Sequence, residues 1–325
     1  MLTMKAAVLH ESGSPENLKV ESVPVPAVSV GQVLIRIKAF GLNRSEVFTR
    51  QGHSPDVKLP RILGIEAAGT VEQAPGGEFR KGEVVVTAMG GMGRQFDGGY
   101  AEFTVVPDHQ VLAVKTELPW EVLGALPEML QTAWGSFESS LELKAGELLL
   151  IRGGTSSIGL AALALARDMG AIVYTTTRNP ERVAFLRDLG ACEVLVDNGA
   201  IHDQVKRFVS DGVDKLLELV GTKTLLDSLR CVRKKGILCV TGIVGNEWSL
   251  HDFNPSAAIP PGVRLTTYGG NSQDLLNMPF NELSQRIQAG TLKIPLARTF
   301  RLDEIADAHR YMEQNQALGK IVVLP

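Results

Sequence analysis

Gly154, Ser156 and Gly159 lie in the stretch RGGTSSIGLAALALA, where an apolar run, ELLLI, breaks at glycine and resumes as an alanine-rich segment. A strand that feeds straight into a helix leaves the helix's first amide hydrogens unpaired at the strand's carboxyl end. With the helix dipole these amides make an anion site, and glycines there let a diphosphate approach the backbone. Gly154 and Gly159 hold the first and last places of GxGxxG, Ser156 holds the middle one, and Ser157 and Ile158 complete the turn. Serine is the smallest polar replacement for that glycine, and its hydroxyl is a further donor to phosphate. Ala161, Ala162, Ala164 and Ala166 let the helix lie close on a sheet. The same turn also suits a tight strand-to-helix connection that binds nothing.

The next apolar run decides which dinucleotide fits. A site for NAD expects an acid about 20 residues on, hydrogen-bonded to the ribose. Here the run ends TTTRNPER, so Thr177, Arg178 and Arg182 offer hydroxyl and guanidinium donors where a carboxylate would repel a 2′-phosphate. The pattern predicts NADP(H). For Arg182 a solvated helix face is the alternative.

These residues need a scaffold, and the chain supplies two kinds. Its 325 residues favour two domains over one or three. To about residue 118 the segments AAVLH, VLIRIKAFG, GTVEQA, EVVVTAMG, AEFTVVP and HQVLAV are rich in valine and broken by glycine, proline and acidic turns. That predicts a mostly antiparallel, partly open barrel. From about residue 120 helical segments lead to ELLLI, and strands then alternate with helices of ten or so residues, which predicts a doubly wound parallel sheet covered on both faces. Beyond residue 260 come extended segments, two helices (FNELSQRIQAG and LDEIADAHRYMEQ) and a last strand, GKIVVLP. We read this tail as rejoining the first half, so that residues 121–262 form an insertion into a discontinuous domain of residues 1–120 and 263–325.

Composition sets the remaining limits. With 44% hydrophobic and 21% charged residues and a net charge of -3, the chain reads as an ordinary globular protein, with neither a nucleic-acid groove nor a membrane surface indicated. No apolar run reaches the roughly 20 residues of a membrane span, and the start lacks a secretory pattern. A cytoplasmic location is the expectation. Cys192, Cys231 and Cys239 are an odd number without CxxC spacing, as expected of buried thiols in a reducing compartment.

The segments GLNRSEVFTRQG, LPRILGIEAAGTV, FDGGYAEFTVV, LPEMLQTAWGSF, GGTSSIGLAA and ALGKIVVLP stand in the order and spacing of a known family. Across essentially its whole length the chain resembles the medium-chain dehydrogenase/reductase superfamily, in its zinc-independent quinone oxidoreductase (zeta-crystallin-like) branch. The resemblance implies a GroES-like β-rich catalytic domain interrupted by a Rossmann domain, NADPH bound in the cleft between them, and a homodimer. It implies hydride transfer to quinones or to activated carbon–carbon double bonds. Zinc members place a cysteine in the first of these segments, a His-Glu pair in the second and four close cysteines after it. This chain has Asn43, Ser45 and Ile65 before Glu66, and no cysteine before Cys192. Zinc needs three or four convergent ligands, so no metal is expected. The six histidines are dispersed and read as surface or packing residues.

Hydride transfer needs mainly a close, oriented approach and a donor for the charge that develops on the acceptor. By resemblance Asn43 lies beside the nicotinamide and substrate, where its amide is set to hydrogen-bond an acceptor carbonyl; a turn residue after Gly41 is the plainer reading. Many relatives carry tyrosine where Phe48 stands, so a phenolic donor is lost, protonation falls to water, and the ring is left as an apolar wall. Thr132, Val220, Gly221, Thr241, Gly242, Tyr268, Gly269, Gly270 and Lys320 carry over as cofactor contacts. Turn-forming glycines and a core Tyr268 are the alternatives there. The reading is an NADPH-dependent quinone reductase. An enoyl or alkenal reductase is the nearest alternative, and an NADPH-binding sensor or structural protein without turnover is one of another class.

Overall fold

The computed structural model describes residues 2–325, which divide into two compact units. One comprises residues to Gln131 with Asn271–Thr291 and Pro295–Pro325, and the other Thr132–Gly270 with Leu292–Ile294.

In the discontinuous unit the ten-residue strand Gln32–Gly41 organises a seven-stranded sheet. Glu66–Gln73 runs antiparallel along one edge, while Phe103–Pro107 and Lys320–Leu324 share the other, also antiparallel. Val84–Ala88 and Val111–Ala113 extend the sheet beyond Glu66–Gln73. Leu296–Arg301 pairs in parallel with Lys320–Leu324 at the opposite end. A second, three-stranded sheet is formed by Leu18–Pro24, Thr3–Leu9 and Arg61–Ile62. Ile35, Ile37, Phe40, Leu63, Tyr100, Phe300 and Val323 belong to one buried cluster. The antiparallel, barrel-like expectation describes this unit, with one parallel pair added.

The other unit holds six parallel strands: Glu193–Val196, Ile172–Thr177, Leu148–Arg152, Val213–Glu218, Val232–Val240 and Arg264–Thr267, in that spatial order. Numbered along the chain this is 3-2-1-4-5-6, the Rossmann arrangement. The strand sequence LLLIR is a nearly unbroken apolar run because helices cover both faces, and VDKLLE carries a shorter one, Leu216–Leu217. Both runs nevertheless end in a charge, Arg152 and Glu218, and the two residues pair in register at the sheet's centre. The helix Leu126–Gly135 continues as a π-helical turn, Ser136–Leu141.

Cys231 and Cys239 are buried as expected, whereas Cys192 is exposed. It precedes an edge strand, so the sheet has no further neighbour to cover it. Among the described residues no helix is long and apolar enough to cross a membrane.

Candidate active site

The turn after Leu148–Arg152 is closed by its own backbone. Gly153 has φ of +96°, and a Cβ on Gly154 would run into the Thr175 hydroxyl, so only glycine fits there. A Cβ on Gly159 would meet the Gly153 carbonyl, which explains the close seat of helix Ser157–Asp168 on the strand. Ser156 caps this helix: its Oγ accepts from Gly159 N at 3.0 Å and donates to Gly153 O at 2.8 Å. The hydroxyl expected to donate to phosphate is therefore used within the turn. The amides of Ser157 and Ile158 make no hydrogen bond to another described residue, and helix geometry directs them out of the first turn.

The other dinucleotide candidates of this unit collect along the same carboxyl edge. Thr177 ends its strand, buried, with Oγ1 accepting from Asn179 N at 3.2 Å. Arg178 follows it, exposed and without a hydrogen bond or ion pair to another described residue, and the half-buried Arg182 closes the turn Pro180–Arg182. Val220 and Gly221 follow Val213–Glu218 and donate their amides to Glu218 Oε1 at 2.7 and 3.1 Å. Thr241 and Gly242 follow Val232–Val240, and Thr241 Oγ1 lies 3.0 Å from Ser136 Oγ, which itself donates to Thr132 O at 2.7 Å. Tyr268 follows Arg264–Thr267, half-buried, with its hydroxyl end where a Cβ on Gly135 would sit; Gly269 and Gly270 come next. One sheet edge thus gathers a glycine turn, free helix amides, hydroxyls and an exposed guanidinium.

In the discontinuous unit Asn43 begins helix Arg44–Arg50 and is held from several sides. Its Oδ1 accepts from Lys320 Nζ at 2.6 Å, and its Nδ2 donates to Glu66 Oε1 at 2.9 Å. Lys320 Nζ is 2.8 Å from Glu66 and 3.3 Å from Glu128. Both Lys320 and Glu66 are fully buried. Lys320 therefore differs from its expected role as a cofactor contact: its three ammonium hydrogens are directed to Asn43, Glu66 and Glu128, because two buried carboxylates require a cation. Burial works against the Lys320 charge, but Glu66 and Glu128 outweigh it and hold its pKa above the ordinary value.

A second buried chain adjoins this one. Glu46 accepts from Asn43 N at 2.7 Å, from Ile65 N at 2.8 Å and from Tyr100 Oη at 2.7 Å. Tyr100 Oη also lies 3.0 Å from His309 Nε2. Burial lifts the Glu46 carboxyl to about 7 against those hydrogen bonds. It lowers His309 to about 3, with the Arg50 and Arg44 charges acting in the same direction. Phe48, on the same helix, is buried with its ring edge-on to His53.

Two family models match the chain, an alcohol dehydrogenase GroES-like domain over residues 29–116 and a zinc-binding dehydrogenase over residues 189–323. The quinone oxidoreductase of Lama guanicoe is 30% identical over 332 residues, covering 99% of this chain and 97% of that one. The chain belongs to the quinone oxidoreductase branch of the medium-chain dehydrogenases/reductases. It is an oxidoreductase acting on a small molecule. A 2-haloacrylate reductase from a Burkholderia species is 28% identical, with 98% of each chain covered. A mycobacterial protein solved in complex with NADPH superposes with a TM-score of 0.87 at 26% identity, over 99% of this chain and 100% of that one.

The cation among Asn43, Glu66 and Glu128 is the Lys320 ammonium. No group of three or more His, Cys, Asp or Glu among the described residues is arranged to hold a metal. Sequence reasoning passed over Arg152, Glu218, Asp197, Glu46, Glu66, Glu128 and Tyr100 as working residues. For Arg152, Glu218 and Glu66 the signal was a charge closing or entering an apolar run, as in LLLIRGG, KLLELVG and LGIEAAG.

Proposed function

We propose that this oxidoreductase is a zinc-independent, NADPH-dependent reductase of quinones and related activated carbonyl compounds. The observation that carries the reading is the carboxyl edge of the six-stranded sheet, where unpaired Ser157 and Ile158 amides and an exposed Arg178 follow the ends of two adjacent parallel strands. The amides would hold the diphosphate and the guanidinium groups of Arg178 and Arg182 the 2′-phosphate. When bound, the nicotinamide supplies the hydride. Thr132, Val220, Gly221, Thr241, Gly242, Tyr268, Gly269 and Gly270 complete the proposed cofactor contacts. Asn43 keeps one amide hydrogen whose only contact is a 3.5 Å approach to Gly41 O, which supports its donation to an acceptor carbonyl. Phe48 would offer an apolar wall and no proton, which then comes from water. Zinc independence is supported by Lys320, whose ammonium already satisfies the Asn43 and Glu66 oxygens.

The similarity to a 2-haloacrylate reductase favours activated carbon–carbon double bonds as a second acceptor class. A homodimer in the cytoplasm belongs to the same proposal. The test is NADPH oxidation with 1,4-benzoquinone, 9,10-phenanthrenequinone and an enone, alongside elemental analysis for zinc. Turnover by zinc-free protein is the expected result. Tight NADPH binding without turnover on any acceptor would instead mark a binding protein, and stoichiometric zinc would overturn the metal-free reading.

A further inference from the structure

Arg152 is the last residue before the phosphate turn, and its side chain is fully buried. Its Nε and Nη2 form a fork on the two Asp197 oxygens at 2.8 and 3.0 Å. Its Nη1 donates to Asp227 at 2.8 Å, Ser228 Oγ at 2.9 Å and Thr224 O at 3.2 Å. Asp197 follows strand Glu193–Val196, and its amide donates to Thr177 O at 2.8 Å. The Asp197 carboxyl therefore belongs to a residue bonded directly to the neighbour of Arg178. The acid of an NAD site lies about 20 residues past the glycine turn; Asp197 stands one strand further on, after Glu193–Val196, but a carboxylate turned toward the Thr177–Arg178 corner would still repel a 2′-phosphate. Here it is turned inward, with only 6% of its side chain exposed. Burial disfavours its charge, but the Arg152 fork and the Gly199 amide outweigh that and hold its pKa below the ordinary value. The carboxylate is thus a charge that the fold has to direct.

We propose that Arg152 is a positioning residue for cofactor specificity: by forking Asp197 beneath the sheet edge, it keeps that carboxylate away from the ribose 2′ position and leaves the corner to Arg178 and Arg182. This rests on the NADPH reading above. The alternative, that Arg152 serves stability alone, predicts that its loss weakens both nucleotides alike.

The experiment is fluorescence titration with NADPH and NADH of wild type, Arg152→Gln, Asp197→Asn and the double variant. Asp197→Asn alone should leave the NADPH-to-NADH affinity ratio within about twofold, since the charge it removes is already neutralised by its fork. Arg152→Gln should lower the ratio about tenfold, as the freed carboxylate repels the dianion. The double variant should restore the ratio. If Arg152→Gln does not fold, Arg152→Lys keeps the charge without the fork and should show a smaller loss, of order threefold, again rescued by Asp197→Asn. A ratio unchanged in the folded Arg152 variant, or a loss that persists in its double with Asp197→Asn, overturns the role of Arg152. Wild type that prefers NADH or binds neither nucleotide overturns the NADPH reading itself, which separates the two failures.

Discussion

Replacing Lys320 with methionine removes the ammonium that lies 2.8 Å from Glu66 and 3.3 Å from Glu128, at nearly constant volume. At an effective dielectric of about 20, the 2.8 Å contact with Glu66 corresponds to roughly 6 kcal/mol of attraction. Desolvation of both partners offsets much of this, and deleting one member of a buried pair costs about 3–5 kcal/mol because the other charge is stranded. For a unit of this size the loss corresponds to a drop of about 10 °C in Tm. Burial already raises the Glu66 pKa, with Lys320 opposing and Glu128 adding to the shift, so losing Lys320 raises it further. A carboxylate raised in the folded state contributes stability below its unfolded pKa and loses it as pH rises through the folded one. The deficit of Lys320→Met should therefore be largest near pH 8, shrink toward pH 5 and be reduced by adding Glu66→Gln. Calorimetry of the three proteins across that range is the assay. A Tm within about 2 °C of wild type at pH 8, or a deficit independent of pH, would refute the reasoning.

Glu46→Gln should flatten the pH dependence of stability. The wild-type contribution is full below 4.5 and is lost as pH rises through about 7, an effect of at most about 3 kcal/mol, visible in denaturant melts at several pH values. His309, lowered to about 3, should show no ring titration by NMR between about pH 5 and 8. Its stabilising effect is present above 6.5 and disappears only as pH falls through about 3. Substituting Arg178 and Arg182 together by alanine should weaken NADPH about 10- to 100-fold and NADH little, since a charge-assisted hydrogen bond contributes about 1.5–3 kcal/mol. Equal losses in a binding titration would show that these arginines do not read the 2′-phosphate.

Much of this architecture was legible in the sequence because its parts are local. The first parallel strand, LLLIR, reads as an apolar run because both faces are covered, and the glycine turn announces itself within six residues. The shorter pieces escaped: helix Ser272–Asn277 has only six residues, and strand Leu296–Arg301 is half exposed, so neither carries a clear period. The charged clusters escaped for another reason. Arg152 and Asp197 meet only because strand order places a third strand between theirs, and Lys320 meets Asn43 across 277 residues of chain. A lone Lys320 near the end of a sequence looks like a solvated or ligand-facing charge until the fold supplies Glu66 and Glu128. Cys192 failed similarly: its apolar neighbours suggested burial, but the strand they form lies at an edge.

That long-range meeting also imposes an order on synthesis. As the ribosome extends the chain, strand Gln32–Gly41 and the Glu66 carboxylate emerge early, but Lys320–Leu324 is translated last among the strands. Until then one end of the early sheet lacks its pairing strand, and the acids around Asn43 have no counter-ion from Lys320. The six-stranded unit, Thr132–Gly270 with Leu292–Ile294, is meanwhile complete and free to fold as a body. The nascent protein thus acquires its nucleotide-type half before its first-made half can close, and the open sheet end is what a ribosome-associated chaperone would have to shield.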